Sequence, residues 1–405
     1  MKCGLLGKKL GHSYSPQIHS HLGNYSYELF EKTPEELADF LHNGDFTGLN
    51  VTIPYKKDVL PYCDELSERA KTLGSVNTIV RRSNGTLIGH NTDFFGFLSM
   101  LERSNIQVGG KKVLVLGSGG ASATVVAVLC QLGADVVVIS RSGENNYDNL
   151  HLHEDASVIV NTTPVGMYPN VGLSPIDLNQ FPSLEGVLDV VYNPAKTQLL
   201  LDAEKRGLII ANGLWMLVAQ AKESAEWFTG KKIPDDSIHN IHNILCRQME
   251  NIILIGMPGC GKSTVAKAIS ERLDKPYVDA DAEIISRAGI SIPEIFERFG
   301  EDYFRQLETE VLADLGKQSG LIIATGGGCV TKPENYSHLH QNGRIIWLRR
   351  DLNKLATDGR PLSQQNKLDA LYAVRKSLYQ QFCDYTVSND NSLDETLTEI
   401  LEIVG

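Results

Sequence analysis

Asn251-Ile-Ile-Leu-Ile-Gly-Met-Pro-Gly-Cys-Gly-Lys-Ser-Thr264 is an apolar run closed by a glycine-rich loop, and its reading divides the chain in two. The aliphatic residues Ile252 to Ile255 predict a buried parallel strand, and Val265 to Leu273 predicts the start of a helix. Gly256, Gly259 and Gly261 allow successive backbone N–H groups to turn toward one anion, and the helix start adds the positive end of its dipole. Lys262 then reaches the outer phosphates of a nucleotide, and the Ser263 hydroxyl can ligate Mg²⁺. The bland alternative is an ordinary glycine-rich turn. Such turns seldom carry a Lys-Ser pair at this spacing behind a buried strand, so the stretch reads as a phosphate-cradling P-loop.

The remaining composition sets the frame. A chain of 405 residues predicts two or three domains, each able to bury a core. No apolar run approaches the roughly 20 residues of a membrane helix. Met1 to Leu10 lacks the apolar centre of a secretory signal and reads as a first strand, Lys2 to Gly7, so a cytoplasmic location without membrane partners is expected. The seven cysteines are odd in number and scattered without a Cys-x-x-Cys pair, which indicates neither a disulfide framework nor a zinc site. A net charge of −11 argues against nucleic-acid partners, so anionic ligands must be held by local devices.

Upstream of the dividing strand, Gly11-His-Ser-Tyr-Ser-Pro16 offers the hydroxyls of Ser13 and Ser15 before a helix, where serines are ordinarily caps. Gly48-Leu-Asn-Val-Thr-Ile-Pro-Tyr-Lys-Lys57 places Thr52 and Lys56 at the end of a short apolar strand. Gly74-Ser-Val-Asn-Thr78 leads to strands at 79–82 and 86–89 around the hairpin signal Asn84-Gly85. Asn91-Thr-Asp93 then opens a helix, where the ordinary role of Thr92 is N-capping.

Ser13-Tyr-Ser15, Asn50-Val-Thr-Ile-Pro-Tyr-Lys56, Val76-Asn77-Thr78 and Asn91-Thr-Asp93, in that order and at these separations, resemble the substrate half of shikimate dehydrogenase. The resemblance implies that Ser13, Ser15, Thr52, Lys56, Asn77 and Asp93 ring a small polyhydroxy carboxylate, with Lys56 and Asp93 as the catalytic pair. Reducing a ketone requires a proton on oxygen, which a lysine ammonium can supply or relay, and a carboxylate can orient that lysine.

The strand Lys111 to Leu116 feeds Gly117-Ser118-Gly119-Gly120-Ala121-Ser122 and the apolar helix Ala123 to Leu132, and a second strand follows at Asp135 to Ile139. This strand–glycine turn–helix–strand order is a dinucleotide-binding pattern. Where an NAD enzyme would keep an acid for the ribose hydroxyls, the chain has Ser140-Arg141-Ser142, so NADP is expected over NAD. Later strands run into Asn161-Thr-Thr-Pro and Tyr192-Asn-Pro194. The resemblance implies that Asn161, Thr162, Val190, Gly213 and Met216 line the nicotinamide side, and that Tyr192 and Gln220 reach substrate. Trp215 stands where the family pattern has glycine, a change that could narrow the cleft.

Beyond the P-loop, Asp279 and Asp281 lie two apart at a strand end and project on the same side. Arg305 with Glu308, Gly326-Gly-Gly328, Gly359-Arg-Pro-Leu362 and Arg375 follow. The series resembles shikimate kinase along essentially the whole C-terminal segment. The resemblance assigns the loop through Gly259, Cys260 and Gly261, with Lys262, Ser263 and Thr264, to ATP and Mg²⁺. It assigns Asp279 to the metal, Asp281, Arg305, Gly327, Gly328 and Arg375 to shikimate, and Arg360 to a closing lid. Asp281 would hold the attacking hydroxyl while Lys262 and Arg360 neutralise the transferred phosphoryl group. Asp351 to Gly359 lacks the arginine expected shortly before Arg360, and Lys354 is the nearest cation there.

The expected architecture is thus α/β throughout. A dehydrogenase substrate lobe (1–97, with 228–248 packing back on it) is followed by a Rossmann NADP-binding domain (98–227) and a P-loop kinase domain with a parallel sheet (249–405). The expected function is NADPH-dependent reduction of 3-dehydroshikimate, then ATP-dependent phosphorylation of shikimate. Three rivals fit parts of the sequence: an NAD-linked quinate/shikimate dehydrogenase, a regulatory dehydrogenase-like domain, and a kinase for another small metabolite. Arg141, the presence of both Lys56 and Asp93, and the pair Arg305 and Arg375 disfavour them in turn.

Overall fold

Short aliphatic runs form three separate sheets in the computed structural model, which describes residues 1–11, 13–355 and 365–405. The first contains β1 (Lys2–Gly7), β2 (Ser26–Glu31), β3 (Gly48–Val51), β4 (Glu65–Leu66), β5 (Thr78–Arg81) and β6 (Leu87–His90) in the order β2-β1-β3-β5-β6-β4. Parallel pairing of β1 with β2 and β3 gives way to antiparallel pairing of β5 with β3 and β6. Gly85 turns the β5–β6 hairpin at a φ of +91°.

The second sheet, β7 (Lys112–Leu116), β8 (Asp135–Ile139), β9 (Val158–Asn161), β10 (Gly186–Asp189) and β11 (Ile209–Asn212), is parallel in the order β11-β10-β9-β7-β8. Its central strands are buried on both faces, which is why they read as continuous Val/Ile/Leu runs. Connections leave β7 in opposite directions, so a crevice opens outside its carboxyl end.

The third sheet is also parallel: β12 (Asn251–Ile255), β13 (Tyr277–Asp279), β14 (Ile322–Ala324), β15 (Gly343–Arg349) and β16 (Tyr385–Ser388), ordered β13-β14-β12-β15-β16. Here β12, the strand of the P-loop, is the switch point.

Two compact units result. One comprises Met1–Val165, Ser174–Tyr192 and Asp202–Ile244, and the other Gly166–Leu173, Asn193–Leu201 and Leu245–Gly405. The second unit therefore takes two segments from inside the stretch expected to be purely Rossmann. In the first unit, the ring of Phe228 lies against His19 and Tyr25. No described helix is long and apolar enough to cross a membrane.

Candidate active sites

In the first unit, the residues expected around substrate sit on loop ends and on two packed helices. The carbonyl of Lys56 accepts the N–H of Val76 at 2.8 Å, which fixes the lysine beside the 76–78 segment. Its Nζ lies 2.7 Å from Asp93 Oδ2, at the first residue of the helix Asp93–Ser104. Asn77 is buried. Its Oδ1 accepts the N–H of Thr92 at 2.7 Å, and its Nδ2 donates to Thr92 Oγ1 at 3.0 Å and to Gln220 Oε1 at 3.4 Å. Gln220 arrives on the helix Leu214–Thr229, which approaches closely at Gly96: a Cβ there would lie 2.7 Å from the Met216 carbonyl. Thr92 therefore ties strand to helices instead of capping, and Asn91 Oδ1 accepts the Phe94 N–H in its place.

At the carboxyl end of β7, Gly117 adopts a φ of +102°, and a Cβ there would meet Thr162 Oγ1 at 2.9 Å. The helix Gly120–Gln131 has no side-chain cap, and a Cβ at Gly119 or Gly120 would meet nothing within 4 Å. Those free N–H groups facing open space fit a dinucleotide pyrophosphate. The exposed Arg141, directly after β8 and Ser140, suits an added 2′-phosphate. Asn161 is completely buried, donating to Asp189 Oδ1 at 3.0 Å and accepting from Thr163. Its side chain shapes the loop from beneath.

In the second unit a cavity of about 630 Å³ opens over the P-loop. Gly261, at a φ of +97°, starts an uncapped helix Lys262–Leu273, and Lys262 Nζ folds back on the carbonyls of Gly256 (2.9 Å) and Met257 (3.1 Å). Ser263 Oγ donates to Asp279 Oδ2 at 2.7 Å, and the Tyr277 hydroxyl donates to the same oxygen at 3.0 Å. One hydroxyl beside one carboxylate fits Mg²⁺, which keeps most of its waters. Across the cavity Arg305 Nη1 donates to Glu308 Oε2 at 2.6 Å, and Glu301 takes its other edge. Burial pushes the Glu308 carboxyl up, against the lowering pull of Arg305. Asp281 and Glu308 converge on Gly326, where a Cβ would lie 2.9 Å and 2.5 Å from their oxygens. Arg375 Nη1 and the Tyr379 hydroxyl both donate to the Gly327 carbonyl.

Residues 5–79 match the model of the shikimate dehydrogenase substrate binding domain, and residues 258–404 match that of shikimate kinase. The NADP(+)-dependent shikimate dehydrogenase of Caldicellulosiruptor saccharolyticus is 37% identical over 259 residues, 56% of this chain and 92% of its own length. The chain belongs to the shikimate dehydrogenase family. Crystallised shikimate dehydrogenase 1 of Peptoclostridium difficile shares 38% identity at a TM-score of 0.56, covering 60% of this chain and 97% of that one. A chorismate mutase/shikimate 5-dehydrogenase fusion of Clostridium acetobutylicum gives 36% and 0.58, covering 60% and 96%.

Of the residues expected around substrate in the first unit, Lys56 bonds Asp93 and Asn77 bonds Gln220, and Asn77 also bonds Thr92, the residue before Asp93. Ser13 Oγ accepts the Ser15 N–H at 3.2 Å, Thr52 hangs from the Leu6 carbonyl by its N–H, and Tyr192 meets Tyr14 edge-on. Trp215 packs among Ser99, Arg103, His239 and His242. Its Nε1 donates to Ser99 Oγ at 2.8 Å, and its ring lies between Arg103 and the imidazoles of His239 and His242. Arg360 lies outside the described residues. Thr92, Asp189, Tyr277 and Tyr379 were not foreseen as site residues; each works through another polar group, and only the tertiary fold brings the partners together.

Proposed function

We propose that this chain performs two consecutive steps at one oxygen: NADPH-dependent reduction of 3-dehydroshikimate to shikimate, then MgATP-dependent phosphorylation to shikimate 3-phosphate. One observation carries the reading: the same chain holds a Lys56–Asp93 ion pair beside the buried Asn77 and a P-loop cavity lined by Asp281, Arg305 and Arg375. When bound, NADPH supplies the hydride and MgATP the phosphoryl group. Lys56 Nζ, oriented by Asp93, holds the proton at the ketone oxygen, while Asn77 and Gln220 fix the ring hydroxyls and Ser13 and Ser15 the carboxylate. Gly117, Ser118, Gly119, Gly120 and Ala121 bind pyrophosphate through their N–H groups, and Arg141 the 2′-phosphate.

In the second unit, Arg305 and Arg375 bind the carboxylate of shikimate, and Asp281 takes the proton of the attacking hydroxyl. Lys262 leaves its loop carbonyls for phosphate, and Ser263 and Asp279 hold Mg²⁺. The working division is a substrate lobe at 1–97, an NADP domain at 98–227 and a kinase at 249–405. Seven free cysteines and a net charge of −11 support a cytoplasmic enzyme with small-molecule partners only. The test is ADP release from 3-dehydroshikimate and MgATP with NADPH, with NADH, or with neither. ADP appearing only with NADPH supports the whole reading. ADP from added shikimate, with none from 3-dehydroshikimate in any arm, would mean that the first half is misread.

A further inference from the structure

Among the described residues three arginines line the P-loop cavity, and two of them are already held: Arg305 by Glu308 and Glu301, Arg375 by the Gly327 carbonyl. The third, Arg350, directly follows β15 and also borders a second cavity of about 240 Å³ walled in part by Met257, Trp347, Tyr372 and Asp390. A Cβ built on Gly261 would lie 3.7 Å from Arg350 Nη1, so the guanidinium stands beside the uncapped start of the P-loop helix. Its Nε is buried without a hydrogen-bond partner. Asp390, the acid beside it, accepts the Asp351 N–H at 2.7 Å and the Ser388 hydroxyl at 3.1 Å, and the Arg350 charge adds a smaller lowering pull on its carboxyl. A partly buried guanidinium left incomplete at an anion site is costly unless a ligand completes it.

We propose that Arg350 is a nucleotide-binding residue of the kinase unit, meeting the bound nucleoside triphosphate where the P-loop cavity borders the smaller one. It supplies the guanidinium that the sequence Asp351–Gly359 lacks, and it does so from the end of a sheet strand. The assignment rests on the kinase reading above and adds to it a residue that motif matching passes over, because Arg350 sits outside every phosphate-binding motif.

Isothermal titration of the full chain with MgADP, and separately with shikimate, tests it in Arg350→Ala, Arg350→Gln and Arg350→Lys. The expected result is MgADP affinity about tenfold weaker in the Ala and Gln variants, partly recovered in the Lys variant, and shikimate affinity within about twofold throughout. MgADP affinity within about twofold of the unsubstituted chain in the Ala and Gln variants overturns the assignment. So does equal loss of both ligands in Ala and Gln, which marks a structural residue. Absence of MgADP binding by the unsubstituted chain overturns the kinase reading itself, and this assignment with it.

Discussion

Lys56 and Asp93 stand 37 residues apart in sequence and 2.7 Å apart in space. A partly buried ammonium oriented by a carboxylate is positioned to hold a proton at a substrate oxygen. Lys56→Ala is expected to lower the dehydrogenase kcat about 10²–10⁴-fold while leaving the Kd for NADPH unchanged, measured by NADPH oxidation and direct titration. A loss under tenfold would remove Lys56 from the chemistry. Arg305 and Glu308 pose a different problem, because Glu308 is fully buried. Removing only the arginine strands a carboxylate away from water, so Arg305→Ala should cost on the order of 3–5 kcal/mol in urea unfolding. The double change Arg305→Met with Glu308→Leu should recover most of that stability yet bind no shikimate. Equal instability of single and double variants would refute the stranded-charge account.

Among elements, strands were the most legible part of the sequence. Ile252 to Ile255 read correctly because a strand buried on both faces leaves an unbroken aliphatic run, and the half-buried edge strand Asp135 to Ile139 read correctly from its Val/Ile content. Helix starts were read late: the P-loop helix begins at Lys262 and the dinucleotide helix at Gly120, since glycines and polar residues in a first turn carry no apolar period. Ser263 was marked by the P-loop spacing, and Lys56, Asp93 and Asp279 by the family resemblance of their motifs; the fold pairs Lys56 with Asp93 and Ser263 with Asp279. Thr92, Asp189 and the orientation of Trp215 were not legible, because each depends on contacts between helices and loops distant in sequence. His90 on β6 is a similar case, stacked 3.7 Å from Trp227 of the helix Leu214–Thr229. Burial first, and then the charge of Arg82, lower its imidazole from 6.5 to about 4. Between those values the unfolded chain binds more protons than the folded one. Stability is therefore complete above pH 6.5 and falls as pH drops through 4. His90→Phe should flatten this acid slope by up to ~1.4 kcal/mol per pH unit, followed in urea by Trp227 fluorescence. An unchanged slope would mean that His90 titrates normally in the fold.

At the scale of the whole molecule, the first reaction creates the hydroxyl that the second consumes, so one chain carries neighbouring chemistry on two compact units. The units do not follow the boundary at residue 249 expected from the sequence. The second includes Asn193–Leu201, the segment that follows Tyr192. There the Ala195 N–H donates to Asn342 Oδ1 at 2.7 Å, the Lys196 N–H to the Gln341 carbonyl at 2.8 Å, and Lys196 Nζ lies 2.7 Å from His340 Nε2. All three acceptors belong to buried residues. Asn342 in turn donates to the carbonyls of Gly316 and Lys317 and accepts the Asn251 N–H at the start of the P-loop strand. A kinase fragment cut at residue 249 keeps the P-loop and loses the donors from 195 and 196. Its buried acceptors would then lack partners, at a cost of about 1–3 kcal/mol. The fragment should therefore lose MgADP binding at lower urea than the full chain, and Trp347, its only tryptophan, should report the same midpoint. Adding the Asn342→Ala change to the full chain should bring its midpoint down toward that of the fragment. Equal midpoints for fragment and full chain would show that the 193–201 segment adds nothing to the kinase fold, and that the sequence boundary at 249 is also the energetic one.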